Sequence, residues 1–109
     1  MNKTLFPQFP EYDDNSLIIP DNWNDISYHN DICPSISKPV KPDLNLVIFC
    51  DFKNPERRLD GQGSTKDATR FYLSLEKKDD IGEMSLFPVN EFFTLDSAVI
   101  FADSLALSL

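Results

Sequence analysis

With 109 residues the chain has room for one domain, and 41% hydrophobic content with 12% aromatic residues marks it as globular rather than disordered. Its net charge of −8 argues against nonspecific binding to nucleic-acid phosphates, which needs a basic surface. No apolar run approaches the roughly 20 residues of a bilayer crossing, and the first residues lack the apolar stretch of a signal peptide, so the expectation is a cytoplasmic protein with no membrane contact.

Residues 1–24 read as an extended N-terminal arm, outside a single α+β domain over 25–109. Pro7, Pro10 and Pro20 interrupt any helix, while Phe6, Phe9, Tyr12 and Trp23 supply anchors, for the arm's own domain or for a partner. Asn2-Lys3-Thr4 matches a glycosylation acceptor, which the expected cytoplasmic setting makes a chance match. Weak alternation predicts a first strand within 26–36, stopped at Cys33-Pro34. Residues 37–43, holding Pro39 and Pro42, read as an extended connector.

The clearest pattern follows. Leu44, Leu46, Ile48, Cys50 and Phe52 share one face, and Asn45, Val47, Phe49 and Asp51 the other, predicting a central strand over 44–53 covered at least partly on both sides. Asn54-Pro55-Glu56-Arg57-Arg58 reads as a turn or one helical turn, and 60–69, with Gly61 and Gly63, as a mobile loop. Residues 70–76 alternate with Phe71, Leu73 and Leu75 inward and Tyr72, Ser74 and Glu76 outward, a half-exposed strand. Turn chemistry over 77–82 leads to a shorter fourth strand over 83–89 that ends near Pro88.

Thr94 is positioned as an N-cap, with Asp96 in the first turn to favour the helix dipole. The helix is predicted over 95–107, with Leu95, Ala98, Val99, Ala102, Leu105, Ala106 and Leu109 on one face. Ile100, Phe101 and Leu107 fall outside that stripe, as a deeper-buried edge or a partner surface.

The charge is unevenly placed. Residues 1–35 carry Lys3 against six acids, 36–78 nine bases against six acids, and 79–109 six acids and no base. Such polarity fits a basic protein partner. Binding candidates are therefore Ile100, Leu107, Asp96 and Asp103 on the helix. Arg57 and Arg58 join them, and with Lys53, Lys66 and Arg70 they suit an anion or acidic partner or form a solvated rim.

Chemistry has few places to reside. On a strand, His29, Asp31 and Cys33 would project from one face as a nucleophile–base–orienter set or three metal ligands. Residues four apart on a strand stand roughly 13 Å from each other, so His29 reaches Cys33 only if the chain bends. Cys33 is therefore expected to be a packing residue, and Cys33 and Cys50 free thiols in a reducing compartment. Asp60-Gly61-Gln62-Gly63-Ser64-Thr65-Lys66 lacks the spacing of a phosphate-binding loop, and the pairs Asp13-Asp14 and Asp79-Asp80 lack that of a calcium loop. A single histidine excludes a histidine-rich metal centre, and neither cofactor nor metal is expected.

The segment Trp23-Asn24-Asp25-Ile26-Ser27-Tyr28-His29-Asn30-Asp31-Ile32-Cys33-Pro34-Ser35 resembles one in small uncharacterised bacterial proteins, with the pattern Trp-x-Asp-x-Ser-x-x-Asn-Asp-x-Cys-Pro-Ser. A hydrophobic strand, Asn54-Pro55-Glu56-Arg57 and Arg70-Phe71 then occur in the same order. The resemblance spans about residues 23–105. It implies a bacterial cytoplasmic protein, of the kind carried on mobile elements, and brings no activity with it.

These readings combine into an α+β fold of three or four mainly antiparallel strands in a meander, with the C-terminal helix packed on one face. The expected core is Leu46, Ile48, Cys50, Phe71, Leu73, Leu75, Leu95, Val99, Ala102 and Leu105. The leading functional expectation is a non-enzymatic binding protein that occludes another protein, as immunity proteins and antagonists do. A second copy of the chain is also an admissible partner. One alternative is a nucleic-acid mimic that inhibits a DNA- or RNA-binding protein, which requires Asp79, Asp80, Glu83, Glu91, Asp96 and Asp103 to share a face. The other is a small enzyme or metal protein using His29, Asp31 and Cys33.

Overall fold

The computed structural model describes residues 6–14, 16–31, 33–54 and 69–109. Five strands, β1 (Asn24–Asp25), β2 (Ser35–Lys41), β3 (Leu44–Cys50), β4 (Phe71–Lys78) and β5 (Met84–Phe92), precede one helix, α1 (Leu95–Ala106). All neighbours are antiparallel and the spatial order follows the chain. The α+β meander is as expected. Among the described residues the strand count is five rather than three or four: in place of one strand over 26–36, the two-residue β1 ends just before that segment and β2 begins only at its end, at Ser35.

The Leu44–Cys50 alternation sets the register of the whole sheet. Leu46, Ile48 and Cys50 lie opposite Leu75, Leu73 and Phe71 of β4, and Ile36 of β2 lies opposite Ile48. A one-residue slip would turn every one of these side chains to the other face, which holds the pairing in place. Leu95, Ala98 and Ala102 bury the inner stripe of α1 in the same core, with Val99, Leu105 and Ala106 packed at its margin. Of the expected core, Leu75, Val99 and Leu105 are partly rather than fully buried.

Residues 37–43 correct the expected connector. Most of that segment is strand, and Pro39 is accommodated within it. The short β1 pairs only with Ile36 and Ser37, so among the described residues no strand pairs with that edge of β2 beyond Ser37, and a residue without an N–H is tolerated there. The register shifts between Pro39 and Lys41, before Pro42 and Asp43 turn the chain into β3.

Between β4 and β5 the expected turn forms around Asp79. Its Oδ1 accepts the backbone N–H of Ile81 at 3.0 Å and of Glu83 at 2.8 Å. Gly82 sits at φ 85°, a left-handed conformation that glycine adopts at no steric cost. Strand β5 runs three residues past the predicted end at 89, to Phe92. Pro88 does not stop it because β5 is the outer strand of the sheet.

Thr94 caps α1: its Oγ1 accepts the N–H of Ser97 at 3.1 Å. The aromatics of the N-terminal arm are built into the domain. Phe6, Phe9, Tyr12 and Trp23 are all buried, Phe6 meets Tyr12 edge-to-face at 5.1 Å, and Tyr12 lies against Phe52 at 5.6 Å. The loop expected over 60–69 falls outside the described residues except for Thr69.

Candidate functional site

The trio His29, Asp31 and Cys33 does not assemble. Residues 26–31 form a loop with a turn in which the Asp31 N–H donates to the Tyr28 carbonyl at 2.9 Å, so there is no strand face for the three to share. His29 is exposed, stacks on Tyr28 at 4.7 Å, and its Nδ1 lies 2.9 Å from Gln8 Oε1. Cys33 is buried, and burial followed by the charges of Asp51 and Asp31 pushes its thiol up to about 12. A thiol so placed holds almost no thiolate at neutral pH. Cys50 is fully buried, its thiol is likewise raised by burial, and both cysteines are free. Among the described residues no group of three His, Cys, Asp or Glu side chains can hold a metal ion, and no helix is long and apolar enough to cross a membrane.

Arg70 departs from the solvated basic rim suggested by its sequence neighbours. Its guanidinium donates to Asp14 Oδ2 at 2.9 Å, to the Tyr12 hydroxyl at 3.0 Å and to the Asp51 carbonyl at 3.0 and 3.3 Å, and it lies 4.7 Å from the Phe71 ring centroid. The Arg70 and Asp14 side chains are only 11% and 6% exposed. Burial works against the Asp14 carboxylate, yet the Ser16 hydrogen bonds and the Arg70 guanidinium outweigh it and hold its carboxyl below the ordinary value. This network ties the N-terminal segment to the start of β4. With four hydrogen bonds to Asp14, Tyr12 and Asp51, it is a structural clamp.

The acids expected on one face are dispersed. Asp103 is paired with Lys38 at 2.8 Å, and Asp79 is occupied with turn N–H groups. Glu91 is in register with Tyr72, on the sheet face away from α1, whereas Asp96 and Asp103 are on α1 itself. Glu83 and Glu91 stand at opposite ends of β5, roughly 27 Å apart at the rise of a strand.

The helix ends at Ala106, one residue before the expected 107, and Ile100 on it and Leu107 at its C-cap are 67% and 92% exposed, so this edge is not buried deeper in the fold. Phe101 projects about 100° away round the helix, where its ring meets Phe92 of β5 at 5.4 Å. Arg57 and Arg58 fall outside the described residues.

Further exposed apolar side chains lie on β5 and beside it, and of these only Phe101 was expected at a surface from the helix pattern. Met84, Leu86, Phe87, Phe93 and Phe101 are all exposed, Phe87 by 51% and Phe93 by 64%. They follow the β5 edge of the sheet and continue onto the flank of α1. Alternation puts Leu86 on the face of Glu76 and Phe87 on the face of Leu75, so β5 shows large apolar groups on both faces. The sequence held a signal, since Met-Ser-Leu-Phe-Pro-Val is apolar without alternation. That run reads equally as a strand buried on both sides, and only the strand order makes it an edge.

The carboxylates of Glu83 and Glu91 flank this surface along β5, with Asp96 at the start of α1, and all three are exposed. An unpaired strand edge usually invites strand addition from another chain. Here Pro88 lacks the N–H at the middle of β5, and the register with β4 shifts at Leu73 and Ser74, so a continuous added ladder is disfavoured. The surface offers side chains rather than backbone. No protein-family model, curated protein or solved structure matches the chain.

Proposed function

We propose that this chain is a small acidic binding protein that occludes a basic protein partner, in the manner of an immunity protein or antagonist. The observation that carries the reading is the apolar surface of Met84, Leu86, Phe87, Phe93 and Phe101, bordered by Glu83, Glu91 and Asp96. Interfaces commonly combine an apolar, aromatic-rich centre with a charged rim, and exposed aromatic side chains are frequent energetic anchors in them. Exposed Lys77 and Lys78 of β4 lie in register with Ser85 and Met84 at one end, while Glu91 and Asp96 border the other, so the complementary partner surface is apolar at its centre and basic where it meets Glu91 and Asp96. The resemblance carried by residues 23–35 supports a bacterial cytoplasmic setting. The buried Cys33 and the separation of His29 from it favour binding over catalysis.

The test compares affinity capture from the native host using wild-type protein and a Phe87→Ser/Phe93→Ser variant, with quantitative mass spectrometry. Both substitutions replace exposed side chains, and circular dichroism checks that the variant remains folded. The expected result is a basic protein enriched on the wild type and reduced at least tenfold on the variant, as loss of about 1.4 kcal/mol or more would produce. Equal capture by both proteins would refute the assignment.

A further inference from the structure

A second feature lies on the sheet face opposite α1, where a cavity of about 580 Å3 opens between the sheet and the loop after β1. Val47 and Phe49 of β3, Leu86 of β5 and Ile26 of the loop give it apolar walls, and Asp31 and Glu76 also line it. The sheet fixes much of this arrangement, since Asn45 is in register with Glu76 and Glu76 with Leu86. Val47 is almost fully buried, so the sheet side of the cavity is anchored in a packed layer. Its volume is within the range of roughly 300–1,000 Å3 typical of small-molecule sites, which also combine apolar walls with a few polar groups.

Among the described residues that line the cavity two are acidic and none is basic. Asn45 Nδ2 donates to Glu76 Oε1 at 3.1 Å, which orients that carboxylate without neutralising it. Among the described residues, neither Asp31 nor Glu76 forms a salt bridge. An anion would be repelled here, and a neutral hydrocarbon would gain nothing from the two carboxylates. An organic cation satisfies both parts of the lining, and its ammonium group can also approach an aromatic face such as that of Phe49. We infer that this cavity binds a small amphipathic amine, whose ammonium group meets Asp31 and Glu76 while its hydrocarbon body lies against Ile26 and Phe49. The inference goes beyond the proposed partner surface and does not depend on it.

The test is a titration of the 15N-labelled full chain, followed by two-dimensional NMR, with three probes of similar shape: phenethylammonium, 2-phenylethanol and 3-phenylpropionate. The expected result is saturable shifts for the ammonium probe, confined to residues near 26–35, 47–49 and 74–76, with weaker binding of the alcohol and none of the carboxylate. Glu76→Gln and Asp31→Asn each weaken ammonium binding about fivefold, the effect of one partly exposed ion pair, and leave alcohol binding unchanged. The Phe87→Ser/Phe93→Ser protein binds the amine as wild type does. Equal affinity for all three probes, saturation by none, or a parallel loss in the Phe87→Ser/Phe93→Ser protein would overturn the inference.

Discussion

Replacing Arg70 with Met removes the guanidinium of the buried clamp while keeping much of the side chain's length and its contact with Phe71. Four hydrogen bonds are lost: one to Asp14, one to the Tyr12 hydroxyl and two to the Asp51 carbonyl. The larger effect falls on Asp14, whose carboxylate is 6% exposed and would lose its cation. Removing one partner of a buried ion pair costs about 3–5 kcal/mol. Asp14 keeps hydrogen bonds from the N–H and hydroxyl of Ser16, which places the loss at the lower end, about 3 kcal/mol. With a urea slope of about 1.3 kcal/mol per molar, the unfolding midpoint should fall by about 2 M. The loss should also depend on pH. The Asp14 carboxyl is depressed in the folded state, so its contribution is present above the ordinary carboxylate value and is lost as pH falls through the lower folded value. The gap between wild type and Arg70→Met should therefore be full at pH 7 and narrow below about pH 4. Equilibrium urea unfolding at both pH values, read by circular dichroism, measures it. A loss under about 1 kcal/mol at pH 7, or a gap unchanged by acid, would refute the reasoning and reduce the pair to a surface salt bridge.

Two further outcomes follow from single residues. Thr94→Ala removes the acceptor for the Ser97 N–H and should cost about 1 kcal/mol, lowering Tm by about 4–8 °C in a thermal melt; an unchanged Tm would mean that the cap contributes nothing. Cys33, buried with a thiol raised to about 12, should label slowly with iodoacetamide in native protein at pH 7.5 and rapidly in urea, whereas rapid native labelling that is lost on His29→Ala would restore an activated thiol.

Elements with a strong period were readable from the chain alone. The alternation from Leu44 to Cys50, that of Phe71, Leu73 and Leu75, and the capped helix after Thr94 each have one stable arrangement against a single core. The strand around Pro39 was not readable, because whether a proline fits depends on which edge of the strand is free, and that is set by the length of β1. Arg70 has the same character. It follows the polar segment 60–69 in sequence, but its partners, Tyr12, Asp14 and Asp51, are 58, 56 and 19 residues away. The apolar β5 surface and the cavity walled by Val47, Glu76 and Leu86 arise from strand order and register. By contrast, the exposed Ile100 and Leu107 were visible as a surplus on the helix wheel.

The most direct test of the partner surface is site-specific photo-crosslinking in the native host. A photoreactive phenylalanine analogue at position 87 would report on β5, and the same group at position 21, exposed in the loop before β1, would serve as the control. The expected result is a discrete adduct with a basic protein from position 87, none of equal yield from position 21, and loss of the adduct when Phe93→Ser is added. Adducts of equal yield from both positions, or none from position 87, would contradict a binding role for this surface.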